Sequence, residues 1–365
     1  MENNENESYE KSTTEETPFS NNGYEENSGV SFGDSEYFSN QFKIYSELEY
    51  KRRKIKSVAA VNGIPLIIIF GISQFWAESY FFLASKFGIS RTSAYNFATE
   101  PGAVQILQIV LSVLMFTLPF IISNKISKKS VSETVPFKRV KARYILPLFS
   151  LGLAFCFFSS VMTSFSAEIF DYFGVRYDVD FGENPSGVFG IILSLIATAI
   201  IPALVEEFAF RGIVLGKLLP FGEAFAIVTS ALIFGVMHGN FEQMPFAALV
   251  GLILGYIRVK TDSLWIVILI HFSNNFISVI NDYLSEVVGS SLLSVIYFGL
   301  ICVFFVLGII SIVYLSLNKE FNAYSLKESE EKIEEKTKYK WFFFSPFIII
   351  FLILYILKSV SYFFL

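Results

Sequence analysis

Residues 200–219 read IIPALVEEFAFRGIVLGKLL, an apolar stretch that carries two adjacent acids and an arginine. The apolar run around it, at about 187–216, is long enough to cross a hydrocarbon core, which takes roughly 20 helical residues. A charged side chain near the centre of a bilayer costs at least about 2.5–3.5 kcal/mol. The sequence therefore predicts a membrane helix in which Glu206, Glu207 and Arg211 have a structural or functional role.

Apolar runs of this kind recur along the chain, which is 53% hydrophobic, contains 42 Phe and has a mean hydropathy of +0.54. Such runs must satisfy their backbone hydrogen bonds internally in lipid, so they predict helices. The predicted fold is all-α, a polytopic transmembrane helical bundle of about eight to nine helices over residues 57–365. The runs lie at about 57–77, 103–123, 145–167, 187–216, 224–240, 243–259, 264–281, 291–317 and 341–362.

The N-terminal segment has a different composition. Residues 1–50 hold 12 acids against only Lys11 and Lys43, with much Asn, Ser and Gly. Such a segment buries too little apolar surface to offset its chain entropy. We therefore expect residues 1–55 to form a disordered acidic tail.

Charge in the loops predicts the orientation. Basic residues cluster at 51–56, 125–143 and 318–340, whereas 168–183 is acidic. Lysine and arginine favour the cytoplasmic side, which places the N-terminus and the basic loops in the cytoplasm and, with nine crossings, the C-terminus outside. The basic residues flank membrane spans, so no nucleic-acid partner is predicted. The Asn-, Lys-, Ile- and Phe-rich composition is typical of an AT-rich bacterium and predicts the bacterial cell membrane.

Helix geometry places the two acids of the fourth run on different faces of the helix. Glu207 and Arg211 are spaced i, i+4 and can pair. Glu206 points about 100° away and need not share the arginine. Pro202 has no backbone donor, which leaves the carbonyl of Thr198 free. The pattern predicts one carboxylate that is paired and one that is free to act.

Both histidines of the chain lie in apolar helices. His238 shares a helix face with Phe234, and His271 shares one with Asn275, because each pair is spaced i, i+4. A single buried histidine is more often a core residue than a catalyst. Here every histidine lies on a helix near the acidic one, which favours a joint catalytic use.

Three motifs occur in order, each on a hydrophobic helix: Glu206-Glu207-x-x-x-Arg211, Phe234-x-x-x-His238 and His271-x-x-x-Asn275. Together they resemble the motif set of the CPBP family, over about residues 187–282. That family comprises the CAAX prenyl proteases of the Ras-converting type and the related bacteriocin-processing and immunity proteins.

The resemblance implies an intramembrane endopeptidase that acts on a peptide or a membrane-anchored protein. Glu206 would be the general base that activates water, and His238 would help to hold that water. His271 and Asn275 would stabilise the oxyanion of the tetrahedral intermediate. Glu207, Arg211 and Phe234 would support the site.

The cofactor remains open at this level. A metal-free site is favoured by the mechanism that the resemblance implies. Glu206, His238 and His271 would also make an acceptable zinc site with one open position. Cys156 and Cys302 fall in apolar runs and offer no disulfide framework or thiolate metal site. The sequence contains no His-Glu-x-x-His zinc motif.

Two other functions compete with the endopeptidase. A non-catalytic bacteriocin-immunity or peptide-binding membrane protein could use the same pocket to hold a partner. A transporter could use Glu206 and the histidines as a proton relay, although transporters often show paired repeats with matching broken helices, and the sequence has none.

The depth of the two histidines is a further open question. In straight helices, His271 lies about 10 Å and His238 about 20 Å from the cytoplasmic end, at a rise of 1.5 Å per residue. Tilted or uneven helices are needed to bring them level.

Overall fold

The computed structural model describes residues 32–172, 186–329 and 332–362. Within these ranges the chain is helical and forms no strand, only one isolated bridge between Phe137 and Ser263. The predicted all-α fold is confirmed. In chain order the helices are α1 (Phe32–Lys86), α2 (Arg91–Thr99), α3 (Pro101–Ile126), α4 (Val131–Thr134), α5 (Ala142–Tyr172), α6 (Gly187–Phe221), α7 (Glu223–Met237), α8 (Gln243–Thr261), α9 (Trp265–Val288), α10 (Ser290–Leu317), α11 (Glu335–Phe343) and α12 (Pro346–Ser361).

Six of the described helices are long and apolar enough to cross a membrane: α1, α3, α5, α6, α8 and α10. Helices α11 and α12, bent by 69° at a short break, add a seventh if they form one span. Helix α7 has 15 residues and is about 22 Å long, too short for a core of roughly 30 Å. Every predicted apolar run is therefore helical, but fewer of them qualify as full spans than the eight to nine predicted.

Helix α1 begins inside the segment that was predicted to be a disordered tail. Residues 1–31 of that prediction lie outside the described residues, whereas 32–55 are helical. The chain divides into two units, residues 1–50 and 51–365. Helix growth explains the correction at 32–55, because an apolar helix that has already formed extends by one hydrogen bond per added residue without a new nucleation cost.

Helix α6 is irregular on both sides of its acidic pair. Wide π-helical turns at Leu195–Ile200 and Phe208–Val214 flank a regular α-helical segment, Ile201–Glu207. Pro202 stands second in that segment and cannot donate to the carbonyl four residues earlier. Single π turns inside helices are frequent at functional sites. The irregularity thus falls where the sequence places its charges.

Helices α7 and α8 form a closely packed hairpin. An added Cβ at Gly235 would lie 2.8 Å from the Cβ of Ala248, and one at Gly251 would lie 2.9 Å from the Cα of Ala231. Small residues permit this close backbone approach, as they do in many membrane helix pairs. His238 directly follows α7 and stands at the turn of the hairpin.

The bundle is staggered on the side of its basic loops. Arg258, near the end of α8, donates through Nε to the carbonyl of Arg211 at 3.0 Å and through Nη2 to that of Thr134 at 3.3 Å. The end of α8 is therefore level with Arg211, whereas α6 continues ten residues further, to Phe221. Helix α7 begins two residues after the end of α6, and α9 begins four residues after the end of α8, so the two helices start at different heights in the bundle. This difference supplies the unevenness that the depths of His238 and His271 require.

Candidate active site

A buried carboxylate joins α6 to α9. Oε1 of Glu207 accepts from Nη1 of Arg211 at 2.9 Å and from Nδ1 of His271 at 2.7 Å. The side chains of Glu207 and Arg211 are 0% and 1% exposed. The pair predicted from the i, i+4 spacing is present, and the same oxygen also fixes the ring of His271. With Nδ1 held in this way, Nε2 of that ring is the nitrogen left for other partners.

The ring of Phe234 lies against Arg211 and both histidines. The Arg211 guanidinium lies 4.2 Å from the ring centroid of Phe234, a cation–π contact that is strengthened by exclusion of water. The same ring meets His238 edge to face at 4.9 Å and His271 at 6.4 Å. Phe234 therefore packs against three of the polar side chains predicted for the site.

His238 has a defined tautomer when neutral. Its Nδ1 lies 2.8 Å from the carbonyl oxygen of Phe234. A carbonyl can only accept, so Nδ1 carries the proton and donates it. Nε2 of a neutral ring is then left with a lone pair that can accept a hydrogen bond.

The amide of Asn275 is oriented by two contacts. Its Nδ2 donates to the carbonyl of Thr198 at 3.0 Å, and its Oδ1 accepts from Nδ2 of Asn274 at 3.0 Å. Pro202 cannot donate to the carbonyl of Thr198, and Asn275 supplies a hydrogen bond to that carbonyl. One N–H of the Asn275 amide remains for a further acceptor.

Glu206 differs from Glu207 in exposure, in contacts and in its position at the cavity. It is partly exposed, and among the described residues none forms a hydrogen bond or an ion pair with its carboxylate. It lines a cavity, which Glu207 and Arg211 do not. The expected division into one paired and one free carboxylate is therefore present in the structure.

The cavity has a volume of about 840 Å³, within the range of roughly 300–1,000 Å³ typical of ligand sites. Five of the seven predicted site residues line it: Glu206, Phe234, His238, His271 and Asn275. Glu207 and Arg211 lie behind this wall. The remaining wall comes from α3, α5, α6, α8, α9 and α10 and includes both apolar and amide side chains. The three motifs, spread over 70 residues of sequence, meet around one space.

The candidate ligands for a metal ion are Glu206, His238 and His271. Within the part of the chain that the structure describes, no three His, Cys, Asp or Glu side chains are grouped closely enough to hold a metal ion. Nδ1 of His238 and Nδ1 of His271 already have protein partners. Only Nε2 of each ring could join Glu206 in a zinc set.

Sequence reasoning missed two features of the site. The contact between Glu207 and His271 joins helices 64 residues apart, and no local spacing signals it. The two contacts that orient Asn275, with Asn274 and with Thr198, were also missed. The effect of Pro202 on the carbonyl of Thr198 was a usable signal for the second contact, because it indicates that a donor from another helix can approach α6.

Comparison with known proteins points to the same region. Residues 188–277 match the family described as "Type II CAAX prenyl endopeptidase Rce1-like", and this range contains all three motifs. A protein of Bacillus subtilis (strain 168), named "Putative membrane peptidase YdiL", is 24% identical over 227 residues, which cover 59% of this chain and 86% of that protein. No solved structure matches the chain closely enough to be informative.

Proposed function

We propose, on the premise that this chain is a membrane protease of the CPBP family, that it cleaves peptide bonds with a water activated by Glu206. The observation that carries the proposal is the carboxylate of Glu206, which lines the cavity without a partner among the described residues. A charge in an apolar helix is costly, and one that is left unpaired is a functional candidate by default.

The attacking water would lie between Glu206 and His238. Nε2 of His238 can accept one hydrogen from this water, because Nδ1 already donates to Phe234. Glu206 would take the other hydrogen as the water oxygen bonds to the carbonyl carbon of the substrate. A carboxylate held within reach of a water can act as its general base.

The resulting oxyanion would be stabilised by His271 and Asn275. Asn275 retains one N–H after its bond to Thr198. His271 can donate from Nε2 only if it carries both ring protons, since Nδ1 faces Glu207. The carboxylate of Glu207 offsets that added charge. Donors fixed before the reaction are worth the most at this step, because they need no reorganisation.

Collapse of the intermediate would complete the reaction. Glu206 would return its proton to the amide nitrogen as the bond between carbon and nitrogen breaks. The products are a carboxylic acid and an amine, Glu206 is regenerated, and the proton of the new acid passes to the new amine, so that a carboxylate and an ammonium group leave. Every proton in this scheme moves through groups of the chain itself, so we propose a metal-free endopeptidase.

The substrate class that we propose is a peptide or a membrane-associated protein segment. The cavity offers amide side chains from Gln105, Gln108 and Asn274, which can bond to an extended backbone. A bacteriocin leader, a signalling peptide and a membrane protein all fit this description.

Comparative peptidomics tests the proposal. Membrane and secreted peptides from cells that produce the wild type are compared with those from cells that produce Glu206→Gln, with Glu168→Gln, an exposed carboxylate on α5, as the control. We expect a defined set of cleavage products to disappear in Glu206→Gln alone. An unchanged peptide profile, together with retained biological activity, would favour a non-catalytic binding protein.

A further inference from the structure

One wall of the cavity is a polar stripe on α9. His271, Asn274, Asn275, Ser278 and Asp282 all line the cavity. Their spacing from His271 is 3, 4, 7 and 11 residues, which keeps them on one face of a helix with 3.6 residues per turn. The stripe leads away from the proposed reaction centre toward the end of α9, which the loop charges place outside the cell.

Asp282 ends this stripe with an exposed carboxylate. It lies about 16 Å along α9 from His271 and about 20° around the helix from it. Among the described residues none forms a hydrogen bond or an ion pair with its carboxylate. Among the described residues, the side chains that line the cavity include two carboxylates, Glu206 and Asp282, but no lysine or arginine. The space is therefore suited to a ligand that carries positive charge.

A second, independent side chain in the same cavity also lacks a partner. Gln105 of α3 is 6% exposed, and its Oε1 is buried without a hydrogen bond. A buried carbonyl oxygen without a donor is costly, and most such atoms in folded proteins are paired. A backbone N–H of an inserted peptide is a donor that would satisfy it.

We propose that Asp282 is a specificity-determining residue that binds a lysine or arginine side chain of the substrate. An extended peptide spans about 3.4 Å per residue, so 16 Å corresponds to about five residues from the scissile bond. Gln105 accepts from a backbone N–H of the same peptide. This assignment rests on the proposed endopeptidase function and names the class of peptide that it accepts.

Charge complementarity explains why the residue is placed on this stripe. A carboxylate in the wall of a cavity attracts cations over several ångströms and disfavours acidic peptides. The amides between Asp282 and His271 are neutral, so they hold the intervening backbone without selecting its side chains.

Quenched fluorescent peptides test the assignment with the full-length protein in nanodiscs. Each peptide has one cleavable centre and a single lysine placed at one of the positions three to seven residues away on either side, with glutamine in the reference peptide. We expect kcat/KM to be about tenfold higher than the reference for lysine near the fifth position on one side. Asp282→Asn should reduce the preference for lysine to less than twofold. Asp282→Lys should instead prefer peptides that carry glutamate near the fifth position. Glu168→Gln is the matched control and should keep the wild-type preference.

A binding experiment tests the role of Asp282 separately from the proposed chemistry. Fluorescence anisotropy with Glu206→Gln measures binding of the lysine and glutamine peptides without turnover, and the lysine peptide should bind more tightly only while Asp282 is present. Cleavage that depends on Glu206 but shows no charge preference would overturn the role of Asp282 and leave the protease intact. Equal binding of both peptides would overturn it in the same way. Absence of cleavage with every peptide, combined with a lysine preference in binding, would overturn the protease and retain the cation site.

Discussion

Replacing Glu207 by glutamine removes the carboxylate that both Arg211 and His271 contact. The carboxylate and the guanidinium are 0% and 1% exposed, and the contacts are 2.9 and 2.7 Å long. Breaking a buried pair by removing one partner costs about 3–5 kcal/mol, because the other charge stays buried. We expect Glu207→Gln to lower the free energy of unfolding by that amount.

The structure also predicts a partial rescue. Oε2 of Glu207 and Nη2 of Arg211 have no hydrogen-bond partner among the described residues, so the pair is incompletely satisfied. Removing both charges is then less costly than removing one. The double variant Glu207→Gln with Arg211→Gln should recover at least half of the stability lost in the single variant.

Equilibrium unfolding in mixed micelles of increasing SDS content measures these differences. Glu78→Gln is the matched control, because Glu78 pairs with Arg91 at 3.1 Å while their side chains are 68% and 69% exposed. Exposed pairs contribute about 0–1 kcal/mol. If Glu207→Gln were no less stable than Glu78→Gln, the carboxylate of Glu207 would not be the buried counter-ion that we describe.

The remaining predictions concern topology, packing and cofactor. A reporter fused after residue 130 should read as cytoplasmic and one near residue 180 as external, and the reverse pattern would overturn the orientation. Gly251→Val should destabilise the α7–α8 hairpin by about 1–3 kcal/mol through the clash with Ala231, whereas Gly299→Val, with open space around it, should not; equal stability would contradict the described packing. Treatment with 1,10-phenanthroline should leave hydrolysis unchanged, and a loss reversed by Zn²⁺ would replace the metal-free mechanism.

The fold could be read from the sequence as far as local pattern determines it. Each apolar run is helical, and the region that carries the three motifs, residues 188–277, matches the Rce1-like prenyl endopeptidase family. Which runs cross the membrane could not be read with the same accuracy. Helix α7 is too short and ends at the hairpin turn, and α9 carries a polar stripe that lowers its hydropathy.

Within the site, contacts along one helix were predictable and contacts between helices were not. The pairing of Glu207 with Arg211 follows from i, i+4 spacing, and the free carbonyl of Thr198 follows from Pro202. The contact of His271 with Glu207 depends on the stagger of α8 and α9 against α6. Arg258 takes part in this packing, because its side chain donates to the carbonyl of Arg211. Such packing leaves no local trace in the sequence.

Turnover by purified Glu206→Gln tests the central claim most directly. Glutamine keeps the shape of the side chain and its hydrogen-bonding capacity but removes its basicity. The measurement is kcat on a peptide that the wild type cleaves, with unfolding followed in the same preparation. We predict a fall of at least about 10²–10⁴-fold, the contribution of a positioned general base, with little change in stability. Hydrolysis near the wild-type rate would contradict the account, because Glu206 would then not be the group that activates the water.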